Sequence, residues 1–549
     1  MAADSDARRL LGQALVVERA TAAIRAGDLA EAKRLAREGL AAGGEHPLLL
    51  NLRALDHEDH GRLEAALADL RRALLLAPGD YSILNACGLC LARLERMDEA
   101  VQCYDRALAI RADFGAAWFN RGWALERLGE IAEAAASLEK AATLNPQNAQ
   151  AWANLAHLAA RRGDADATRR YAEQAFGVQP GHPTAVLALA NVELSTPVLA
   201  ESRLRGLIST QSLSLFDRGM AFSELGDALD AQDRPAEAFE AYSQGNAAFR
   251  AEAAPRFAAA KQPTVLDTLQ WLIDWAEGLD RTRWTRSDTA LHKAGREARH
   301  VFLIGFPRSG TTLAESILAR HPDVVTLEEK NALYAAVMAF LGDPRSVNRL
   351  STLSDQQLQE FRGDYWARVR GYGVEPADKI FIDKFPLNVT KIALIARLFP
   401  AAKIIFAVRD PRDVVFSCFR RRFTLNPSMY EFLDLRRTAL FYDHAMRLAE
   451  AFRRLQPMDE RYLVYERLVE DPESQARALC TFIGAQWRSE MMDFAARARR
   501  GDVASASSAQ IARGLFGDGA GQWRRYRREL APVLPILAPW AERFGYPAA

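Results

Sequence analysis

A period of 34 residues runs through the first half of this 549-residue chain and constrains its fold more than any other feature. Gly27, Gly61, Gly129 and Gly163 share one register with Glu95 in the remaining place, and Ala32, Ala66, Ala100 and Ala134 follow five residues later in each unit. Pro78, Pro146 and Pro180 keep the same period, with Ala112 as the exception, and Trp118 and Trp152 also stand 34 apart. A fixed period of this size marks stacked repeat units, and small residues recur where packed elements touch because larger ones would hold them apart. The register is lost around Ser195 to Ser214 and returns in ALDAQDRPAEAFEAYSQG, where Ala238 and Tyr242 hold the expected offsets from Asp233. Units of this kind bury their faces only by stacking, which predicts an all-α solenoid over residues 10–250 with a concave face suited to a protein or peptide. Tyr104, Trp118 and Trp152 are expected to pack between helices rather than to touch a ligand.

The repeat resembles the tetratricopeptide repeat, and Gly122 to Pro146, GWALERLGEIAEAAASLEKAATLNP, is its clearest copy. The formal charge is +1, so no whole-chain field draws in nucleic acid or an anionic membrane, and any anion site must be local. Nine of the 71 cations are lysines, so a single arginine says little and a single lysine says more. The five cysteines are odd in number and scattered; Cys87 and Cys90 form a C-x-x-C inside a helical repeat, without a second pair, and read as buried small residues. No His/Cys/Asp cluster has metal-ligand spacing. The start MAADSDARRLLGQ lacks an apolar core, and no stretch approaches the ~18 apolar residues of a membrane span. These features give the expectation of a cytoplasmic protein without a membrane span.

A tryptophan-rich helical connector is expected over residues 251–299, after which the pattern changes. Val301 to Gly305 (VFLIG), Ile380 to Asp383 (IFID), Lys403 to Val408 (KIIFAV) and Tyr462 to Tyr465 (YLVY) are short apolar runs separated by helix-length segments. That alternation predicts a parallel sheet covered by helices over residues 300–549.

The sharpest motif, GFPRSGTTL from Gly305 to Leu313, lies between the first strand and a helical stretch. It has the G-x-x-x-x-G spacing of a phosphate loop, with Thr311 where an NTPase carries lysine and Thr312 at the following Ser/Thr position. Backbone N–H groups at the start of a helix still bind an oxyanion without that lysine, and Arg308 supplies a different cation. A nucleotide kinase or NTPase is thereby disfavoured.

This loop resembles the 5′-phosphosulfate loop of sulfotransferases that use 3′-phosphoadenosine 5′-phosphosulfate (PAPS), most closely the protein-tyrosine sulfotransferase group and its repeat-fused bacterial relatives. The resemblance implies a P-loop-like α/β sulfotransferase domain behind the tetratricopeptide solenoid. It implies that Arg308, Ser309, Gly310, Thr311 and Thr312 hold the 5′ end of PAPS, and that Arg409, Ser417 and Arg421 of RDPRDVVFSCFRR grip the 3′-phosphate. Tyr465 of VYERL falls at the adenine end, and FGYP matches the family's ending. Glu329 of HPDVVTLEE is implied as catalytic base, with Lys384 of IDKFPLN and Ser507 of SASSAQ beside the transferring group. Glu328 reads as a solvated acid at a helix start, and Arg412, Arg420 and Arg422 as solvated or ion-paired.

Two departures bear on specificity. Gln522 precedes Trp523 where relatives carry a basic residue, so the nucleotide either does without that partner or finds it in Arg524 or Arg525. EEKNALY offers only Lys330 where animal tyrosine sulfotransferases carry arginines for an acidic peptide. The expectation is a PAPS-dependent enzyme sulfating a hydroxyl, a protein tyrosine among the candidates. A carbohydrate or small-molecule sulfotransferase with the same donor site and an inactive repeat scaffold stay open.

Overall fold

The computed structural model describes residues 2–257, 263–284, 299–493 and 519–548, and the chain divides into two compact units, Met1–Gln211 and Ser212–Ala549.

The first unit consists of helices in antiparallel succession, among them Tyr81–Arg93 with Met97–Ile110, Gly115–Leu128 with Ile131–Leu144, and Ala149–Arg161 with Ala165–Val178. The 34-residue register marks a turn in the left-handed backbone region: Gly27, Gly61, Gly129 and Gly163 have φ between 71° and 88°, and Glu95 adopts the same conformation at φ 61°. A side chain there costs roughly 1–2 kcal/mol, which is why glycine fills the other places. The touching helices are set by a second spacing. A Cβ on Gly88 would lie 2.5 Å from the ring of Tyr104, and one on Gly122 would lie 2.7 Å from Leu138, sixteen residues on in each case. Asp28, Asn148 and Asp164 start helices by accepting from the amides of Glu31, Ala151 and Ala167. Tyr104 is fully buried, and Trp118 and Trp152 donate their indole N–H groups to the carbonyls of Ala112 and Pro146. All three pack against the helix cores, Tyr104 within one and the two tryptophans at their margins. Cys87, Cys90 and Cys103 belong to the apolar core between these helices.

The hairpin Leu215–Asp230 and Pro235–Phe257 repeats the same geometry, with Asp233 at φ 56° in the turn and Gly226 packed under Tyr242, again sixteen residues on. It belongs to the second compact unit. There the connector helix Val265–Glu277 follows it, and Trp275 and Trp284 pack against Phe452 of the helix Leu435–Leu455.

Five parallel strands form one sheet: β1 (His300–Gly305), β2 (Val324–Glu328), β3 (Ile380–Lys384), β4 (Lys403–Val408) and β5 (Glu460–Val464), in the order β2-β3-β1-β4-β5. Every residue of β1 and β3 is buried, the reason they read as apolar runs without alternation. Val301, Leu303, Ile380 and Ile382 meet Leu313, Ile317 and Leu479 on one face. On the other, Phe302 and Phe381 lie among His300, Tyr365, Trp366 and Phe399. Burial there pushes the His300 imidazole down to about 3, so it is neutral in the core. Two expectations change. VVTLE, read only as part of a motif, is the edge strand β2, and Tyr465 begins the helix Tyr465–Glu470 instead of ending a strand. Among the described residues no helix is long and apolar enough to cross a membrane.

Candidate functional site

In a parallel sheet the crevice at the carboxyl ends of the strands, where the strand order reverses, is the usual ligand position. Here β1 lies between β3 and β4, with later strands on both sides. The chain leaves β1 through Phe306 to Gly310 and enters the helix Thr311–Leu318. Gly305 is required because a Cβ would come within 2.5 Å of the Ala407 carbonyl on β4. Arg308 is held at φ 70° and Gly310, the N-cap, at φ 95°. No side chain caps this helix, so its first-turn N–H groups face the loop, with Ser309, Thr311 and Thr312 buried.

The second motif folds onto the first. Val408 ends β4, Arg409 follows it, and Ser417 lies on the helix Pro411–Arg420. Arg308 donates from Nε to Ser417 Oγ at 3.1 Å, across 109 residues. Arg409 donates from Nη1 to the Arg308 carbonyl at 3.1 Å and from Nη2 to the Gly519 carbonyl. Its guanidinium lies 4.7 Å from the centre of the Tyr465 ring, and a Cβ on Gly310 would meet that ring at 2.7 Å. Arg421 caps the helix Pro411–Arg420 in extended backbone. Arg308 is partly exposed, yet desolvation of its guanidinium, aided by the charges of Arg421 and Arg409, pulls it down to about 10. The Nε atoms of Arg409 and Arg421 are buried without a hydrogen-bond partner. Donor groups of this kind suit an anion with several acceptor oxygens.

A third group stands at the ends of β2 and β3. Register pairs Glu328 with Lys384, and Glu329 follows at φ 50° with its N–H donating to the Lys384 carbonyl at 2.8 Å. The Lys384 ammonium, wholly buried, reaches Glu329 Oε1 at 2.9 Å, Glu328 Oε1 at 3.2 Å and Glu315 Oε2 at 3.1 Å. Burial opposes the charge on Lys384, but the three carboxylates more than offset it and hold the ammonium above its ordinary range. Burial also pushes Glu315 up to about 7, against the lowering influence of Lys384. Glu328 is therefore a partner of the buried lysine and not a solvated helix-start acid. Glu329 is the most open of the three, with 42% of its side chain exposed. Alternation along β3 sends Asp383 to the opposite face, where Tyr365 donates to it at 2.7 Å and Asn388 at 3.4 Å.

The structure thus brings Arg308 to Thr312, Arg409, Ser417 and Tyr465 together, with Arg421 close in charge, and places Glu329 and Lys384 at the neighbouring strand ends. Ser507 lies outside the described residues. Arg412, Arg420 and Arg422 are ion-paired with Asp410, Asp230 and Glu224. Gln522 opens the short helical turn Gln522–Tyr526, which Asp413 anchors by accepting from the amides of Gly521 and Trp523. Arg525 is taken up by Asp230 and Asp233, while Arg524 lies 5.9 Å from the Trp523 ring centre. Tyr546 of the FGYP ending donates to Glu466 at 2.6 Å.

Sequence reasoning missed Glu315 and Asp413. For Glu315 a signal existed: a lone acid inside the apolar run Leu313 to Leu318 needs a buried cation, and lysine is scarce in this chain.

Residues 300–489 match the model of the sulfotransferase family, and residues 17–81, 51–113 and 115–148 match models of the tetratricopeptide repeat. The second unit carries a sulfotransferase domain. Tetratricopeptide repeats precede it. An uncharacterized protein of Aquifex aeolicus is 29% identical over 44% of this chain and 32% of its own length. A protein-tyrosine sulfotransferase of Drosophila melanogaster is 26% identical over 38% of this chain and 42% of its own. Protein-tyrosine sulfotransferase 1 of Danio rerio is 26% identical over 45% of this chain and 72% of its own. The chain thus spans less than half the length of the first two of these relatives. A solved tetratricopeptide repeat protein from Parabacteroides merdae is 18% identical, with a TM-score of 0.35, over 43% of this chain and 92% of its own. The sulfotransferase domain supplies the loop, the strand-end arginines and the Glu–Lys group; the hairpin Leu215–Phe257 packs with it in the same unit.

Proposed function

We propose that the sulfotransferase domain uses PAPS as its donor and sulfates a hydroxyl, with a protein tyrosine as the favoured acceptor. The observation that carries this reading is the Arg308–Ser417 hydrogen bond, which joins two anion-binding motifs in one site where Arg409 and Arg421 each keep a buried, unpartnered N–H. A donor charged at both its 3′ and 5′ ends calls for two such sets. When bound, PAPS supplies an activated sulfuryl group whose leaving portion is a stable bisphosphate.

The chain's own residues do the rest. The first-turn amides of Thr311–Leu318 and Arg308 bind the 5′ end, and Arg409, Ser417 and Arg421 bind the 3′-phosphate. Tyr465 positions the adenine end. Glu329, anchored through Oε1 to Lys384, takes the acceptor proton at its other carboxylate oxygen. A phenol of pKa near ~10 is a suitable partner for a positioned carboxylate. Lys384, and Ser507 by resemblance, stabilise charge that builds on the bridging oxygen. The repeats recruit the acceptor. The names of the matched Drosophila and Danio relatives favour tyrosine; a carbohydrate or small-molecule hydroxyl would use the same donor site.

The test is incubation of the full chain with sulfur-labelled PAPS and an extract of the native host. Label in protein, released as tyrosine sulfate on alkaline hydrolysis, is the expected result. Label only in carbohydrate or small molecules would replace the acceptor, and no transfer at all would overturn the reading.

A further inference from the structure

The basic run Arg420, Arg421 and Arg422 leaves the helix that carries Ser417 and enters an acidic helix face. Glu224, Asp227 and Asp230 lie three residues apart on Leu215–Asp230, which places them on one face. Arg420 Nη1 reaches Asp230 Oδ2 at 3.2 Å, and Arg422 Nη2 reaches Glu224 Oε1 at 2.9 Å. The second helix of the hairpin holds the intervening backbone. Asn246 donates to the Phe419 carbonyl at 2.8 Å, Phe239 stacks on Phe419 at 5.4 Å, and Tyr242 meets Phe416 edge-on at 6.4 Å. Tyr526 closes the group by donating to Asp230 at 2.6 Å while its ring lies 4.1 Å from Phe416.

Arg420 and Arg422 are thus ion-paired from the hairpin, whereas among the described residues no ion pair holds Arg421; Arg420 and Arg421 alike keep a buried Nε without a hydrogen-bond partner. Glu224 is buried and its Oε2 has no partner, an arrangement that costs stability. Such a cost is consistent with a fixed geometry being needed at this point. We infer that the hairpin Leu215–Phe257 is part of the donor site: Glu224 and Asp230 are positioning residues that sort the three arginines, so that Arg421 and Ser417 face the nucleotide's 3′-phosphate. This rests on the donor reading above. Its consequence is that selectivity for a 3′-phosphorylated nucleotide depends on residues of repeat geometry some 190 positions upstream of Ser417.

The test is calorimetric titration of the full chain, Glu224→Gln and Asp230→Asn with adenosine 3′,5′-bisphosphate and with 5′-AMP. In the wild type the bisphosphate should bind more tightly. In each variant that preference should shrink roughly 5- to 30-fold, the range for coupling within one ion-pair network, with AMP affinity unchanged. Asn246→Ala, which removes the bond to Phe419 without changing charge, serves if either variant proves too unstable to titrate. Preference retained in folded variants overturns the inference alone. An equal loss for both nucleotides with a lowered melting temperature marks ordinary stabilisation and also overturns it. No preference in the wild type overturns the donor reading and this inference with it.

Discussion

Glu329 and Lys384 hold each other twice: the Glu329 amide donates to the Lys384 carbonyl at 2.8 Å, and the Lys384 ammonium returns to the Glu329 carboxylate at 2.9 Å. The backbone bond extends the β2–β3 ladder one residue beyond Glu328 and fixes Glu329 at φ 50°. The side-chain bond then commits one carboxylate oxygen, while 42% of the Glu329 side chain stays exposed. This double hold leaves the Glu329 carboxylate little freedom to wander, which is what its proposed role as general base requires.

Glu329→Gln keeps the shape and the backbone bond while removing the proton acceptor. Transfer should fall about 10²- to 10⁴-fold with nucleotide affinity nearly unchanged. Single-turnover transfer beside calorimetric titration separates the two, and normal turnover would assign the proton to another group.

Glu315 gives a pH signature. Its carboxyl is raised from 4.5 to about 7 in the folded chain, so the folded state binds this proton more tightly than the unfolded one. The associated stability is complete below pH ~4.5 and is lost as pH rises through ~7. Glu315→Gln should therefore gain in melting temperature relative to wild type across that window, and parallel profiles for the two proteins would refute the assignment.

Gly310→Ala should impair both folding and nucleotide binding. The new Cβ would meet Tyr465 at 2.7 Å, and φ 95° is strained for alanine by about 1–3 kcal/mol. Adding Tyr465→Ala should relieve the clash but leave the strain, so melting temperature should recover only in part. Full recovery would place the whole effect in the clash.

Much of this was legible in the sequence, for physical reasons. The 34-residue register was readable because a left-handed turn and a close helix approach both demand small residues, and Glu95 and Asp233 show that the turn outlives the glycine. The loop is readable because a glycine turn between a strand and a helix has a fixed spacing, whereas Arg409, Ser417 and Arg421 are legible only through the family resemblance. That Glu315 needs a buried cation is legible, but which cation is not, since β3 brings Lys384 across from 69 positions away. Glu328 reads as solvated for the same reason: as a sequence it is an acid beside an acid, and only strand pairing sets it against the buried lysine. The hairpin Leu215–Phe257 was grouped with the repeats by pattern, whereas the basic run at Arg420 to Arg422 draws it into the second unit through ion pairs that no local pattern reveals.

Recognition of the donor's 3′-phosphate is tested most directly by calorimetric titration of the wild type and Arg409→Ala with adenosine 3′,5′-bisphosphate and 5′-AMP. The wild type should prefer the bisphosphate, and Arg409→Ala should lose roughly 1.5 to 3 kcal/mol of bisphosphate binding, the range for a hydrogen bond to a charged group. Equal affinity of the wild type for the two nucleotides would contradict it.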